Sequence, residues 1–186
     1  MKSLQELNLP NFITFLRIAL IPVILFVSIT HSQGLNYLAS FIFLMASLTD
    51  FIDGYIARRL KLESEFGANL DLIADKLLVS ISLVYISLAY NSIEILIPSL
   101  VIIIREIMVS YLRFYLIQGN KKRLKVKFIG KFKTFSQMIA LIILLLGSEI
   151  ILFDKIYFLG IICLNLAAIF TIISFLFYYS DFRKNL

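Results

Sequence analysis

Asp50, Asp53, Asp71 and Asp75 fall within one stretch, TDFIDGYIARRLKLESEFGANLDLIADK, of an otherwise strongly apolar chain. Asp50 and Asp53 are three residues apart and Asp71 and Asp75 four apart, so on helices each pair presents two carboxylates on one face. Four carboxylates turned into one cleft repel one another and are costly among apolar helices, and divalent cations relieve both penalties. Oxygen donors without cysteine or clustered histidine favour a hard ion, Mg²⁺ or Mn²⁺. Two such ions, held from two helices, would clamp a diphosphate and stabilise the charge that builds at phosphorus. One carboxylate would remain to take a proton from an attacking hydroxyl. Gly54, directly after Asp53, and Gly67, before Asp71, leave room for backbone or substrate to approach. Arg58 and Arg59, one turn beyond Asp53, could hold a phosphate. The competing reading is a transporter or structural membrane protein with an incidental acidic cluster.

These side chains need helices that bring the two pairs to one depth. The apolar runs predict an all-α integral membrane protein with six transmembrane helices, spanning about 12–30, 35–59, 67–89, 93–117, 134–146 and 156–179, the fourth interrupted near Pro98. Residues 2–9 alternate polar and apolar positions, as a short interfacial amphipathic segment does. Asp50 and Asp53 then close the second helix and Asp71 and Asp75 open the third, its antiparallel neighbour. Residues 1–186 read as a single domain, too short for a soluble domain beside six helices.

Composition agrees: of 186 residues, 60% are hydrophobic, and the mean hydropathy of +0.93 belongs to a membrane protein. The net charge of +6 does not indicate nucleic acid, because Lys and Arg gather in short segments between apolar runs, where membrane topology and anionic headgroups account for them. They concentrate after the second and fourth runs and in the C-terminal tail, which puts both termini and the aspartate cleft on the cytoplasmic side. MKSLQELNLPN carries no cleavage-like site, so a cleaved signal peptide is not expected. Cys163 is the single cysteine and forms no internal disulfide. His31 has no companion ligand, and Tyr178 and Tyr179 read as an interfacial belt. Arg17 is either a snorkelling flank residue or a headgroup contact. Arg105 and Glu106, an Arg-Glu pair among apolar neighbours, call for a buried partner or polar ligand and read as a wall of the polar cleft, the alternative being a purely structural ion pair with another helix.

Asp50, Asp53, Gly54, Ala57, Arg58, Gly67, Asp71 and Asp75 match D-x2-D-G-x2-A-R-x8-G-x3-D-x3-D without exception, and on them the chain resembles the CDP-alcohol phosphatidyltransferase family. The resemblance implies attack of an alcohol on the phosphorus attached to the lipid of CDP-diacylglycerol, with release of CMP. It makes Asp50, Asp53, Asp71 and Asp75 the metal ligands, gives Asp75 the general-base role as well, and places Gly54, Ala57, Arg58 and Gly67 around the CDP moiety. NLPNFITFLR, LDLIADK, REIMVSYLR and GKFKTFSQ are similar to the phosphatidylglycerophosphate synthase branch. That likeness sets Asn11 beside the nucleotide and implies sn-glycerol 3-phosphate as the acceptor. Arg105, Arg113, Lys131 and Lys133 are nominated for its phosphate on charge and placement. The chain departs from the branch at Leu72, where proline commonly follows the third aspartate, and at Phe114, where glutamate is frequent. Another acceptor, such as phosphatidylglycerol in cardiolipin synthesis, is the alternative. The family further implies a homodimer among membrane lipids, in the bacterial cytoplasmic membrane.

Overall fold

A computed structural model of the chain describes residues 9–29, 35–60, 65–118, 129–146 and 153–183. The side chains it describes exclude those at 9–13, 35, 36, 50–60, 65–69, 71, 72, 113, 114, 116–118, 129–131, 153, 154 and 181. The described residues form six helices: α1 (Leu9–Ile29), α2 (Leu35–Leu60), α3 (Glu65–Tyr90), α4 (Ile93–Gln118), α5 (Ile129–Leu145) and α6 (Phe153–Arg183).

Three of these contain stretches long and apolar enough to cross a membrane: Ile73–Tyr90 in α3, Ile93–Leu112 in α4 and Lys155–Ser180 in α6. The apolar parts of the others, Thr14–Ile29, Tyr37–Thr49 and Phe132–Leu145, are shorter, and a hydrocarbon core about 30 Å thick takes about 20 helical residues. The expectation of six transmembrane helices is therefore corrected: the fold is all-α with six helices, three of them of spanning length and character among the described residues. At α2 charged residues bear on this: Asp50, Asp53, Arg58 and Arg59 occupy its end, so that helix is longer than its apolar run. The predicted amphipathic segment at 2–9 lies, but for Leu9, outside the described residues, as does His31.

Two boundaries also differ from expectation. Pro98 does not interrupt α4, which is continuous from Ile93 to Gln118. A proline this near a helix start removes one backbone bond and leaves the following ladder intact. The helix begins cleanly because the Ser92 carbonyl accepts from the Ile95 and Leu96 amides at 3.2 and 2.9 Å, while Asn91 makes the preceding turn at φ 44°, a conformation asparagine tolerates. The other difference is α5, which starts at Ile129 rather than at 134, so Lys131 and Lys133 are helical.

α5 packs on α6, α1 on α2 and α3, and α4 on α6, with α2 and α3 reaching α5 and α3 reaching α4. Phe43, Leu83, Ile86, Ile102, Leu141 and Leu164 fill the shared interior, and the buried alanines Ala39, Ala46, Ala74, Ala140 and Ala167 let backbones approach. Large apolar side chains such as Phe26, Leu88, Phe158 and Leu176 are exposed on the outer surface, where acyl chains rather than water would cover them. Hydroxyls tie helices through backbone carbonyls: Tyr85 donates to Ser28 O at 2.7 Å, Tyr90 to Leu144 O at 2.9 Å, Ser40 to Ile142 O at 2.8 Å and Ser136 to Cys163 O at 2.8 Å. Each removes a hydroxyl from lipid and fixes helix rotation.

Gly160 lets α6 pack against α5: an added Cβ would sit 2.9 Å from Leu144 Cδ2 and 3.0 Å from both Leu144 Cγ and Ile143 Cγ2. Leu144 is buried and the Ile143 methyl is held by its branch at Cβ, so Gly160→Ala should cost about 1–3 kcal/mol, the usual overpacking penalty. A thermal unfolding midpoint in detergent lowered by a few degrees, with the oligomeric state unchanged, is the expected result.

Candidate active site

Three helices meet on one carboxylate, and a fourth is tied to it through Arg105. Glu106, in the middle of α4, accepts through Oε1 from the Lys133 ammonium of α5 and from Arg105 Nη1 at 3.2 Å. Its Oε2 lies 3.8 Å from Nζ of Lys76 on α3. Lys76 also donates to the Ser110 hydroxyl, which in turn donates to the Glu106 backbone carbonyl at 2.6 Å. Arg105 Nη2 donates to Ser174 Oγ of α6 at 2.8 Å. Neighbours one apart on a helix do not ordinarily face each other, so the Arg105–Glu106 contact requires both side chains to fold toward the same interior point.

Burial sets the energetics. Lys133 is 3% exposed, and an ammonium so placed loses most of its hydration, which only a close anion offsets. Lys76, Arg105 and Lys133 share Glu106 within hydrogen-bond or ion-pair reach, leaving an excess of positive charge suited to an anionic ligand. Asp75, next to Lys76 on α3 and partly buried, is near enough to Lys133 to interact electrostatically with it. The cation cluster and Asp75 are thus parts of one polar region.

Of the predicted residues, Arg105, Lys133 and Asp75 are brought into this region. Asp50, Asp53, Gly54, Ala57 and Arg58 occupy the last turns of α2, and Gly67 and Asp71 the first turns of α3, so the two acidic pairs flank the junction of consecutive helices. Asn11 lies in the first turn of α1, Arg113 near the end of α4 and Lys131 in the first turn of α5. The side chains of Asn11, Asp50, Asp53, Arg58, Asp71, Arg113 and Lys131 lie outside those described. Among the described residues no group of three His, Cys, Asp or Glu could hold a metal ion, and of the four signature aspartates only Asp75 has a described side chain. The donor chemistry, carboxylate oxygen on two consecutive helices, fits a hard divalent ion.

Arg17 is 1% exposed, which removes the snorkelling alternative: its guanidinium is interior. Tyr178 is buried too, whereas Tyr179 is exposed, so only the latter fits the expected belt. Lys76, Ser110 and Ser174 were not singled out from sequence. Lys76 follows Asp75 directly, and Ser110 stands four residues after Glu106, the spacing that puts both on one helix face. Ser174 carries no such signal, being one polar residue in an apolar helix.

The chain matches a protein-family model described as CDP-alcohol phosphatidyltransferase over residues 7–178. It is 45% identical over 180 residues, 95% of this chain and 96% of the relative, to a Rickettsia bellii (strain RML369-C) protein named CDP-diacylglycerol--glycerol-3-phosphate 3-phosphatidyltransferase. Proteins of the same name from Wigglesworthia glossinidia brevipalpis and Escherichia coli (strain K12) are 37% identical over 176 residues and 36% over 183, covering 94% and 98% of both chains respectively.

Proposed function

Because the chain belongs to the CDP-alcohol phosphatidyltransferase family, we propose that it transfers the phosphatidyl group of CDP-diacylglycerol to sn-glycerol 3-phosphate, giving phosphatidylglycerophosphate and CMP. The relatives' shared name and near-complete coverage support this reaction. The observation that carries it on this chain is the buried cation cluster beside Asp75: an acceptor that is itself a phosphomonoester needs positive charge next to the base that activates its hydroxyl.

Arg105 and Lys133, joined by Arg113 and Lys131, bind the acceptor phosphate through charge-assisted hydrogen bonds. Binding there turns an acceptor hydroxyl toward Asp75. Asp75 takes the hydroxyl proton as the oxygen bonds to the lipid-bearing phosphorus, and the bond from that phosphorus to the CMP oxygen breaks. Asn11, Gly54, Ala57, Arg58 and Gly67 hold the CDP moiety, the glycines admitting it close to the backbone. Asp50, Asp53, Asp71 and Asp75 would hold two Mg²⁺ or Mn²⁺ ions, which when bound neutralise the diphosphate and the charge developing on it. The protein acts as one domain and as a homodimer in the bacterial cytoplasmic membrane, its polar region facing the cytoplasm. The concentration of Lys and Arg in the segments after α2 and α4 supports that orientation.

Purified protein in mixed micelles with CDP-diacylglycerol should release CMP with glycerol 3-phosphate as sole acceptor and not with phosphatidylglycerol, inositol phosphate or serine. Release with phosphatidylglycerol alone would replace the proposed acceptor. Chelation with EDTA should abolish the activity, and excess Mg²⁺ or Mn²⁺ should restore it; full activity after exhaustive chelation would remove the metal assignment.

A further inference from the structure

Glu106 reaches all three cations of the cluster, yet the proposed reaction gives it no part. It is an anion placed inside an anion-binding region, where it would compete with the substrate's phosphate for the same donors. Such a placement makes sense if the carboxylate does something in exchange. Lys133 and Arg105 come from different helices, and Lys76 from a third; without a common acceptor, three cations in a small buried volume would repel and turn apart. Ser110 and Ser174 hold the periphery of the same network, at Lys76 and Arg105 respectively.

We infer that Glu106 is a positioning residue of the acceptor site: its carboxylate gathers Lys76, Arg105 and Lys133 into a preformed phosphate cradle, sharing their donors with the phosphomonoester once it binds. The inference rests on the acceptor reading above. It follows that Glu106 acts through the cations and not on the reacting atoms. Its removal should weaken the acceptor phosphate specifically, because disordered or retracted cations bind the phosphate poorly, while the CDP-diacylglycerol half of the site is served by other residues.

The test is steady-state kinetics on full-length protein in mixed micelles, varying each substrate, for wild type, Glu106→Gln, Lys133→Gln and the double variant, with inorganic phosphate as a competing anion. Glu106→Gln should raise KM for glycerol 3-phosphate about tenfold and KM for CDP-diacylglycerol less than twofold, and raise the inhibition constant of inorganic phosphate in parallel. The double variant should raise KM for glycerol 3-phosphate by less than the product of the two single effects, since both changes remove the Glu106–Lys133 contact while Glu106→Gln alone also releases Arg105 and Lys76. Should Glu106→Gln fail to fold, Glu106→Asp keeps the charge one methylene short, and a KM for glycerol 3-phosphate raised severalfold with CDP-diacylglycerol unaffected serves instead. Equal changes in both KM values, or a fall in kcat alone, would show a merely structural carboxylate and overturn the inference. A wild-type protein that uses another acceptor and ignores glycerol 3-phosphate would overturn the acceptor reading first and the inference with it.

Discussion

Replacing Asp75 with asparagine should lower CMP release by about 1,000-fold, within the range general-base catalysis contributes, while the protein remains folded and still binds CDP-diacylglycerol. Asparagine matches aspartate in size and keeps one oxygen, so α3 has no reason to change course. What disappears is the group that accepts the hydroxyl proton and one charge of the proposed metal set. The remaining aspartates, Asp50, Asp53 and Asp71, would still support ions and nucleotide, which separates this variant from one that loses the site altogether. The check pairs turnover with binding of CDP-diacylglycerol to the same preparation. Turnover within tenfold of wild type would remove Asp75 from the base role. Complete loss of nucleotide binding would instead make it chiefly a metal ligand.

The second large effect is expected at Lys133. Lys133→Ala should raise KM for glycerol 3-phosphate by one to two orders of magnitude, the equivalent of one charged hydrogen bond of about 1.5–3 kcal/mol. KM for CDP-diacylglycerol should change about twofold or less, the pattern of an interaction confined to the acceptor. Folding should survive, because Glu106 keeps Arg105 and Lys76 as partners after Lys133 is removed. Arg105→Ala should shift the same parameter in the same direction. Substrate titrations with wild type and both variants decide the matter, and equal rises in both KM values would indicate a general disturbance of the bundle.

The two helices that carry the acidic stretch were legible because the apolar runs that define them are local. Fixed spacings within two helices place Asp50, Asp53, Asp71 and Asp75 at one junction whatever the rest of the chain does, and α2 and α3 end and begin around it as expected. Six helices were legible from six apolar runs. The number able to span was not, because at α2 the helix continues beyond its apolar part into charged turns, and helix length is not membrane length. The same confusion shortened α5: the lysines of GKFK read as a connecting segment, whereas Lys133 turns inward to Glu106 and is buried. Arg105 was correctly seen to need a partner, but its partner on α6, Ser174, is sixty-nine positions away in sequence, and no local pattern could name it. Glu106 was noticed as half of an ion pair. That it also binds Lys76 and Lys133 depends on how α3, α4 and α5 pack, which is tertiary information.

The most direct measurement follows the glycerol itself. Protein reconstituted with CDP-diacylglycerol and Mg²⁺ or Mn²⁺ would be given glycerol 3-phosphate labelled in its carbon skeleton, and the label entering the lipid extract compared with the CMP released. Label should enter a lipid phosphomonoester in equal amount to CMP. CMP release with the label left wholly in the aqueous phase would mean that water or another alcohol attacks the phosphorus, and would contradict the proposed transfer.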